Sequence, residues 1–369
     1  MPAKVYRASL RADLRRNLLD KIDLLLKRIG LPEALGPKSL TAVKLHFGEY
    51  GNAAFVRPVF VRRIVEAIRK TGAPAFVTDT NTLYRGSRAD AVSHLETAAR
   101  NGFTAETMGA PVLIADGLRA GAGESVAIEG ALHDRVPIAD AIARADALVA
   151  VTHFKLHEAT GFGGALKNVG MGSGTREGKL LMHSSVAPIV DKDRCIGDAI
   201  CVRACTFKAI AIAKRKAHID REKCTGCAEC LGVCPEGAIQ IAWNQSLDRL
   251  AQTMVEFAAG AMAGKEGRCF FLNFAMQISP GCDCYSANDA PIVSDLGIFA
   301  STDPVAVDQA CLDALRRAPG LPDTALKKAL APGADKIAEL YPEVPYLAQL
   351  EHAEKLGLGE RAHELVEIG

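Results

Sequence analysis

The sequence predicts an α/β fold: a layered, largely parallel sheet, an inserted cysteine-rich α+β module, and a helical C-terminal tail. Three observations lead there. Short apolar runs alternate with helical periodicity over residues 41–152 and again over 247–317. Polar, glycine-bearing loops follow the strand ends, where such sheets bind ligands. Between the two alternating regions lies a segment that breaks the pattern and holds seven of the 11 cysteines.

Residues 10–29 read as a helix, with Leu14, Leu18, Ile22, Leu25 and Leu26 on one stripe and Gly30 and Pro32 ending it. Residues 41–47 are a buried strand that runs out into His46-Phe47-Gly48-Glu49. Pro58 opens a helix to Lys70, closed by Gly72. A second strand, 75–78, leads into Asp79-Thr80-Asn81-Thr82. A helix over 89–100, short strands at 112–115 and 125–128, a helix at 138–144 and a strong strand at 147–152 follow. After the cysteine-rich segment come a helix at 247–262, strands at 269–274 and 298–300, and a helix to about residue 317 opened by Thr302-Asp303-Pro304. The reading is one α/β domain in two parts, 1–187 and 244–318, interrupted by an insertion at 188–243 and followed by an Ala-, Leu- and Glu-rich helical tail at 319–369.

With 369 residues there is chain for two or three domains and a sizeable core. A net charge of +1 offers no nucleic-acid or anionic membrane surface, and charge interrupts every apolar run well short of ~18 residues. The first residues carry Lys4, Arg7, Arg11 and Asp13 and no apolar signal region, so a cytoplasmic protein is expected. The cysteine spacing also suits a reducing compartment better than a disulfide framework.

Within the insertion the chain repeats itself at an offset of 29 residues, Cys195 to Cys224. The second copy, Cys224, Cys227, Cys230, Cys234 and Pro235, is a full C-x2-C-x2-C-x3-C-P run, the spacing of bacterial ferredoxin clusters. In that pattern the fourth thiolate reaches across to the neighbouring cluster. Cys205, Cys224, Cys227 and Cys230 are therefore expected to hold one [4Fe–4S] cluster, and Cys195, Cys201 and Cys234 a second. Asp198 stands where the first copy lacks a cysteine. It ligates the fourth iron through oxygen, or that iron is absent and a [3Fe–4S] cluster results, or water binds there. A structural zinc site is the bland alternative, which two ferredoxin-spaced copies disfavour.

Two other stretches carry chemistry. Residues 152–168 include His153, Lys155, His157, Thr160, Gly161, Gly163, Gly164, Lys167 and Asn168 after a buried strand. Glycines let backbone approach a ligand and a helix start offers N–H groups, so the run reads as an anion or carboxylate cradle, against a tight structural loop. It matches neither the P-loop nor the dinucleotide fingerprint. Each histidine alone is more readily a hydrogen-bonded side chain than a metal ligand. In Ser279 to Asp289, Cys282 and Cys284 sit one residue apart on a turn, too close for a relaxed disulfide. They read as a redox-active thiol pair or soft-metal site, against two incidental cysteines. Cys269 and Cys311 fall in apolar patterns and read as core.

The segments His46-Phe47-Gly48-Glu49-Tyr50-Gly51-Asn52, Asp79-Thr80-Asn81-Thr82-Leu83-Tyr84, residues 160–172 and Cys282-Asp283-Cys284 occur in that order. Over roughly residues 3–318 the chain resembles the family of uncharacterized Fe–S center proteins (domain of unknown function family 362), many of which carry a two-cluster ferredoxin-like insertion. The resemblance implies an α/β body and two clusters, with no assigned substrate. Asp198, and Thr206 where proline usually follows the fourth cysteine, depart from the paired pattern.

The resulting expectation is a redox enzyme, with electrons entering at the clusters and passing to a substrate or second cofactor in the α/β cleft. Cys282, Cys284, His153, His157 and His46 are the expected catalytic residues. Asp79, Asn81, Lys155, Thr160, Gly161, Gly163, Gly164, Lys167 and Asn168 are expected to hold a cofactor or an anionic small molecule. A ferredoxin or reductase is the expected protein partner, and an additional metal or flavin in the cleft is left open. The alternative is a non-catalytic electron carrier or a metal or iron–sulfur cluster maturation factor.

Overall fold

The computed structural model describes residues 2–184 and 187–368. Its main sheet consists of β1 (Ala3–Ala8), β2 (Thr41–Lys44), β3 (Ala75–Asp79), β4 (Val112–Ile114), β5 (Ala147–His153), β6 (Cys269–Ala275), β7 (Gly297–Ser301) and β8 (His363–Ile368). These eight strands run in the order β8-β1-β7-β6-β5-β2-β3-β4. All but β7 point the same way. β2, β3 and β5 are buried at every position, as strands with both faces covered must be. Alternate residues feed two apolar cores: Leu148 and Ala150 join one, Val149 and Val151 the other.

The order of the sheet fixes the place of the site. β2, β3 and β4 progress in one direction while β5 lies on the opposite side of β2. The strand order reverses between β5 and β2, and a crevice opens there at the carboxyl ends, the usual ligand position in such sheets.

Four local readings change. The first helix is Leu18–Arg28, because Asn17 and Asp20 form a capping box that starts it there and leaves Leu14 in solvent. β1 is invisible to local pattern because its partners are β7 and β8, far along the chain. The C-terminal segment has helices Lys336–Leu340 and Ala348–Lys355 but ends in β8, which runs parallel to β1 from Ala3↔His363 to Ala8↔Ile368. An alternating His-Glu-Leu-Val-Glu-Ile edge strand thus replaces helix in the last residues. Similarly, residues 135–139 form half of a hairpin with Gly123–Ala127, and the helix expected at 138–144 shrinks to Asp140–Ala143. No helix among the described residues is long and apolar enough to cross a membrane.

The cysteine-rich segment folds as two copies of one unit. Ribbon Ile189–Val190 pairs with Ile239–Gln240, and Ile210–Ala213 pairs with Lys216–Ile219. Short helices Ile200–Ala204 and Glu229–Val233 carry Cys201 and Cys230. The repeat extends to the backbone: Gly197 and Gly226 both have φ 77°, Ala199 and Ala228 have φ 59° and 58°, and Lys208 and Gly237 have φ 53° and 58°. Alanine in the left-handed region is costly, so its matched recurrence marks a loop shape that each copy maintains.

Candidate functional site

The seven ferredoxin-type cysteines sort into two small cavities. Cys195, Cys201 and Cys234 wall one together with Asp198, and Cys205, Cys224, Cys227 and Cys230 wall the other. This is the crossed partition expected from the spacing. Backbone N–H groups point at three of the sulfurs: Ala209 N to Cys205 at 3.2 Å, Ala217 N to Cys195 at 3.3 Å and Ala238 N to Cys234 at 3.3 Å. Such donors stabilise thiolate charge and tune clusters. Asp198 Oδ1 accepts from Ile200 N at 3.0 Å, so one carboxylate oxygen is tied to the loop and the other has no hydrogen bond among the described residues. Tetrahedral zinc, with Zn–S near 2.3 Å, would hold its sulfurs only ~3.8 Å apart. Among the described residues no three of these thiols lie mutually within 4.8 Å. Seven thiols, three of them receiving backbone N–H groups, are a soft donor set of the kind a metal–sulfur group would take.

The third cavity, of about 590 Å³, opens at the carboxyl ends of β2, β3 and β5. It is lined by His46, Asp79, Asn81, His153, Lys155, His157, Thr160, Lys167, Asn168, Cys282 and Cys284, so the fold gathers almost every sequence-derived candidate outside the clusters. At its heart, one ligand atom each from His157, Cys282 and Cys284 lies within 4.8 Å of the others, a candidate His/Cys metal-binding group.

Hydrogen positions around that trio favour a different use. Cys284 N donates to Cys282 Sγ at 3.4 Å and Lys167 Nζ stands 3.9 Å from it. A hydrogen bond from the Cys284 thiol, then Lys167 and His157, hold Cys282 well below the usual thiol range despite burial. Donating to Cys282, together with burial, raises Cys284 correspondingly. The two thiols titrate as a pair, with Cys282 the lower and Cys284 the higher of the two. His157 Nδ1 accepts from Ala159 N at 3.0 Å and Thr160 N at 3.2 Å, which places the ring proton on Nε2. A metal-bound histidine ordinarily has the opposite arrangement, its second nitrogen donating. The trio fits a thiolate–thiol–imidazole cluster better than a resident metal centre.

Several expected roles change once partners are known. His153 commits Nδ1 to Asp283 at 2.9 Å and Nε2 to Met276 O at 3.0 Å, so neither nitrogen is left to act on a ligand. Lys155 pairs with Asp283 at 3.3 Å and is not a free anion receptor. Asp283, buried between them, is held well below the usual carboxylate range by His153 and Lys155 against the opposing effect of burial, and pins the Cys-Asp-Cys turn. Asp79 is a counter-ion: Lys44 lies at 2.9 Å and Arg88 at 3.9 Å, and these charges hold it low against burial, while His94 at 3.7 Å is pushed down to about 3 by burial and is a neutral ring. Asn81 donates to Asp116 and Gly117 O, each at 2.9 Å; Asn168 accepts from Lys44 Nζ and donates to Thr152 Oγ1, each at 2.9 Å; Thr160 donates to Phe162 O at 2.9 Å. These three hold the cavity's shape. His46 accepts from Gly48 N at Nδ1, and burial and Arg88 depress it to about 3, so it is a neutral ring whose Nε2–H is a donor.

Gly161, Gly163 and Gly164 do not line the cavity. Gly161–Gly163 is a strand paired with Lys155–His157. At the start of helix Ala165–Ser173, Ala165 N and Leu166 N donate to Asp308 at 2.6 Å and 3.0 Å. A Cβ on Gly164 would meet Asp308 Oδ1 at 2.2 Å. The helix start already has an anion, supplied by the chain itself, and glycine is there to admit it.

Sequence reasoning overlooked Lys44, Arg88, Lys179, Tyr84 and His183, all of which line the cavity. Lys44 ends an otherwise uncharged buried strand and Lys179 lies on the buried face of Arg176–His183, signals that a check for charge at core positions would have found. It also missed the bridge to the module. Leu83 packs in the module's core and lines the cavity, Arg85 Nη1 donates to Cys234 O at 3.4 Å, and Tyr84 Oη donates to Cys284 O at 3.3 Å.

The model of the family described as Domain of unknown function (DUF362) matches residues 41–313. None of the curated proteins matches the chain. Among solved structures, the lactate racemase apoprotein from Thermoanaerobacterium thermosaccharolyticum is similar at 14% identity and a TM-score of 0.46, over 87% of this chain and 59% of that one.

Proposed function

The chain belongs to the DUF362 family of unknown function, and from that premise we propose that it is an iron–sulfur redox enzyme acting on a molecule bound in the cavity at the carboxyl edge of the sheet. Cys205, Cys224, Cys227 and Cys230 would hold a [4Fe–4S] cluster. Cys195, Cys201 and Cys234 would hold a second, [4Fe–4S] with Asp198 as ligand or [3Fe–4S] without it. When bound, such clusters supply one-electron transfer. The observation that carries the reading is the partition of the seven thiols into two crossed cavities, joined to the large cavity through Leu83, Tyr84 and Arg85.

Within the cavity the chain's own groups have distinct tasks. Cys282 is the thiolate, Cys284 holds the shared proton, and His157 directs Nε2–H towards the pair. Neutral His46 donates to an oxygen of the bound molecule. Asp283, His153 and Lys155 fix the thiol turn. A ferredoxin or reductase as electron partner belongs to the same proposal, as does a cytoplasmic setting.

The test is anaerobic purification with iron, sulfide and zinc analysis, followed by electron paramagnetic resonance on the wild type and Asp198→Cys. Two clusters' worth of iron and sulfide are expected, with the substitution giving two four-iron spectra. Zinc in place of iron and sulfide would remove the redox reading, and an unchanged first-cluster spectrum would make Asp198 a bystander. The second reading, a metal or cluster maturation factor, is favoured by the convergence of His157, Cys282 and Cys284. It predicts stoichiometric transfer of metal to a client protein with no small-molecule turnover.

A further inference from the structure

Five cationic side chains line the large cavity: Lys44, Arg88, Lys155, Lys167 and Lys179. Three have carboxylate partners, with Lys44 on Asp79 at 2.9 Å, Arg88 on Glu49 at 2.9 Å and Lys155 on Asp283 at 3.3 Å. Lys167 stands against the Cys282 thiolate at 3.9 Å. Lys179 differs. Its Nζ donates to Thr80 Oγ1 at 2.6 Å and Gly174 O at 2.7 Å, both neutral, and it makes no ion pair among the described residues. Yet it is only 6% exposed. A buried ammonium without a counter-ion is costly unless a ligand supplies one.

The charges around it are of both signs, with Asp116 and Asp79 the larger influences and Lys44 and Arg176 the smaller. Burial lowers Lys179 to about 8, with Lys44 and Arg176 adding to that and Asp116 and Asp79 opposing it. His183 is pushed to about 3 by burial and then by His157, Lys167 and Lys179. Leu83, Met171, Leu247 and Leu250 supply apolar wall. Lys179 is the one cation of the five with no carboxylate or thiolate at ion-pair distance among the described residues. With apolar wall beside it, that place suits the single negative charge of an amphipathic acid, whereas a cation would be repelled.

We propose that the cavity takes a small organic carboxylate, with Lys179 as its counter-ion, Met171, Leu247 and Leu250 along its apolar body, and Cys282 as the reactive group it meets. This rests on the reading of the cavity as the reaction site and names the substrate class that reading leaves open.

Haloacids probe it directly. In the intact, anaerobically prepared protein, the Cys282 thiolate attacks the methylene of iodoacetate; the new S–C bond forms as C–I breaks and iodide leaves with the electron pair. Iodoacetamide follows the same path without the charge. The rate ratio of iodoacetate to iodoacetamide at Cys282, resolved by peptide mapping, is expected to exceed that of free cysteine by about ten-fold. Hexanoate should protect Cys282 and hexanol at equal concentration should not. Lys179→Met should return the ratio to that of free cysteine, and Lys179→Arg should keep it. Three results would overturn the proposal: a ratio equal to free cysteine in the native protein, no change in Lys179→Met, or hexanol protecting as well as hexanoate. So would a Cys282 unreactive to both reagents. Iron and sulfide measured on the same sample keep the two readings apart, because an iron-free protein with the ratio intact loses the redox assignment alone.

Discussion

In the module, all seven thiols of the two small cavities lie between Cys195 and Cys234; in the large cavity, the lining runs from Lys44 to Tyr285. The module's sites are written as spacing, so a 29-residue repeat announces them and the backbone repeats with it, down to the left-handed alanines. The cavity is written as topology. Its lysines, histidines and thiols are separated by strands and helices and meet only because the strand order reverses between β5 and β2. A local motif specifies what a site binds. A gathered site specifies it through charge balance, which no single segment carries.

The sharpest way to break that contrast is to remove thiols from each region. Cys224→Ala should cost the protein one cluster, roughly half its iron and sulfide, with partial unfolding of the module. Alanine at both Cys282 and Cys284 should leave iron, sulfide and the cluster spectra as they were, yet abolish function. Loss of a cluster signal from the double variant would mean that the two regions share a metal site.

That division also explains what was legible. Helices Pro58–Lys70 and Leu247–Met262 and the end of Pro304–Arg317 match their sequence expectation, since Pro58, Ser246 and Asp303 are local stop and start signals. β1 and β8 were not legible, because a strand whose partners lie at the other end of the chain has no local signature beyond weak alternation. For the cavity, residue types were legible and roles were not. A hydrogen-bonded His153 is the more ready reading in sequence, but only Asp283, more than a hundred residues on, shows that His153 and Lys155 are spent holding a turn. Lys179 was missed for the converse reason: an ordinary lysine becomes informative only when its partners prove to be neutral.

A second, smaller effect sharpens the charge-balance half of the comparison. Carboxylate binding requires Lys179 charged, so hexanoate affinity measured by calorimetry should fall as pH rises through about 8, approaching ten-fold per unit above it. The groups facing the ammonium are Asp79 at the end of β3, Thr80 after it, Asp116 after β4, Lys44 on β2, and Arg176 and His183 on its own helix. Lys44 and Arg88 hold Asp79 low, so it is charged through this range, and burial raises Asp116 from the usual carboxylate value. Lys179→Arg should flatten the profile because guanidinium stays protonated. A flat profile with lysine in place would remove Lys179 as the counter-ion. Stability without ligand moves the other way. The folded pKa lies below the unfolded one, so the unfolded chain binds the proton more tightly between about 8 and 10.5, and stability should rise with pH across that window.

The smallest effect tests where the chain's own anion ends and a ligand's begins. Asp308 Oδ1 accepts from Ala165 N and Asn273 Nδ2 at 2.6 Å each, and Oδ2 accepts from Leu166 N at 3.0 Å. Burial nonetheless raises its carboxyl to about 6, above the unfolded value, so stability should drift down as pH climbs from 3.8 through 6. Asp308→Asn can keep the two bonds at Oδ1, but its amide N–H₂ then faces the Leu166 N–H, a donor against a donor. Loss of about 1 kcal/mol in a denaturant titration follows at neutral pH, with iron content and hexanoate affinity unmoved. Were hexanoate instead to bind more tightly to Asp308→Asn at unchanged stability, the helix start at Gly164 would be a ligand cradle after all. The glycine-rich run would then have shown its purpose in sequence, and the line between spacing-coded and topology-coded sites would have to be redrawn around it.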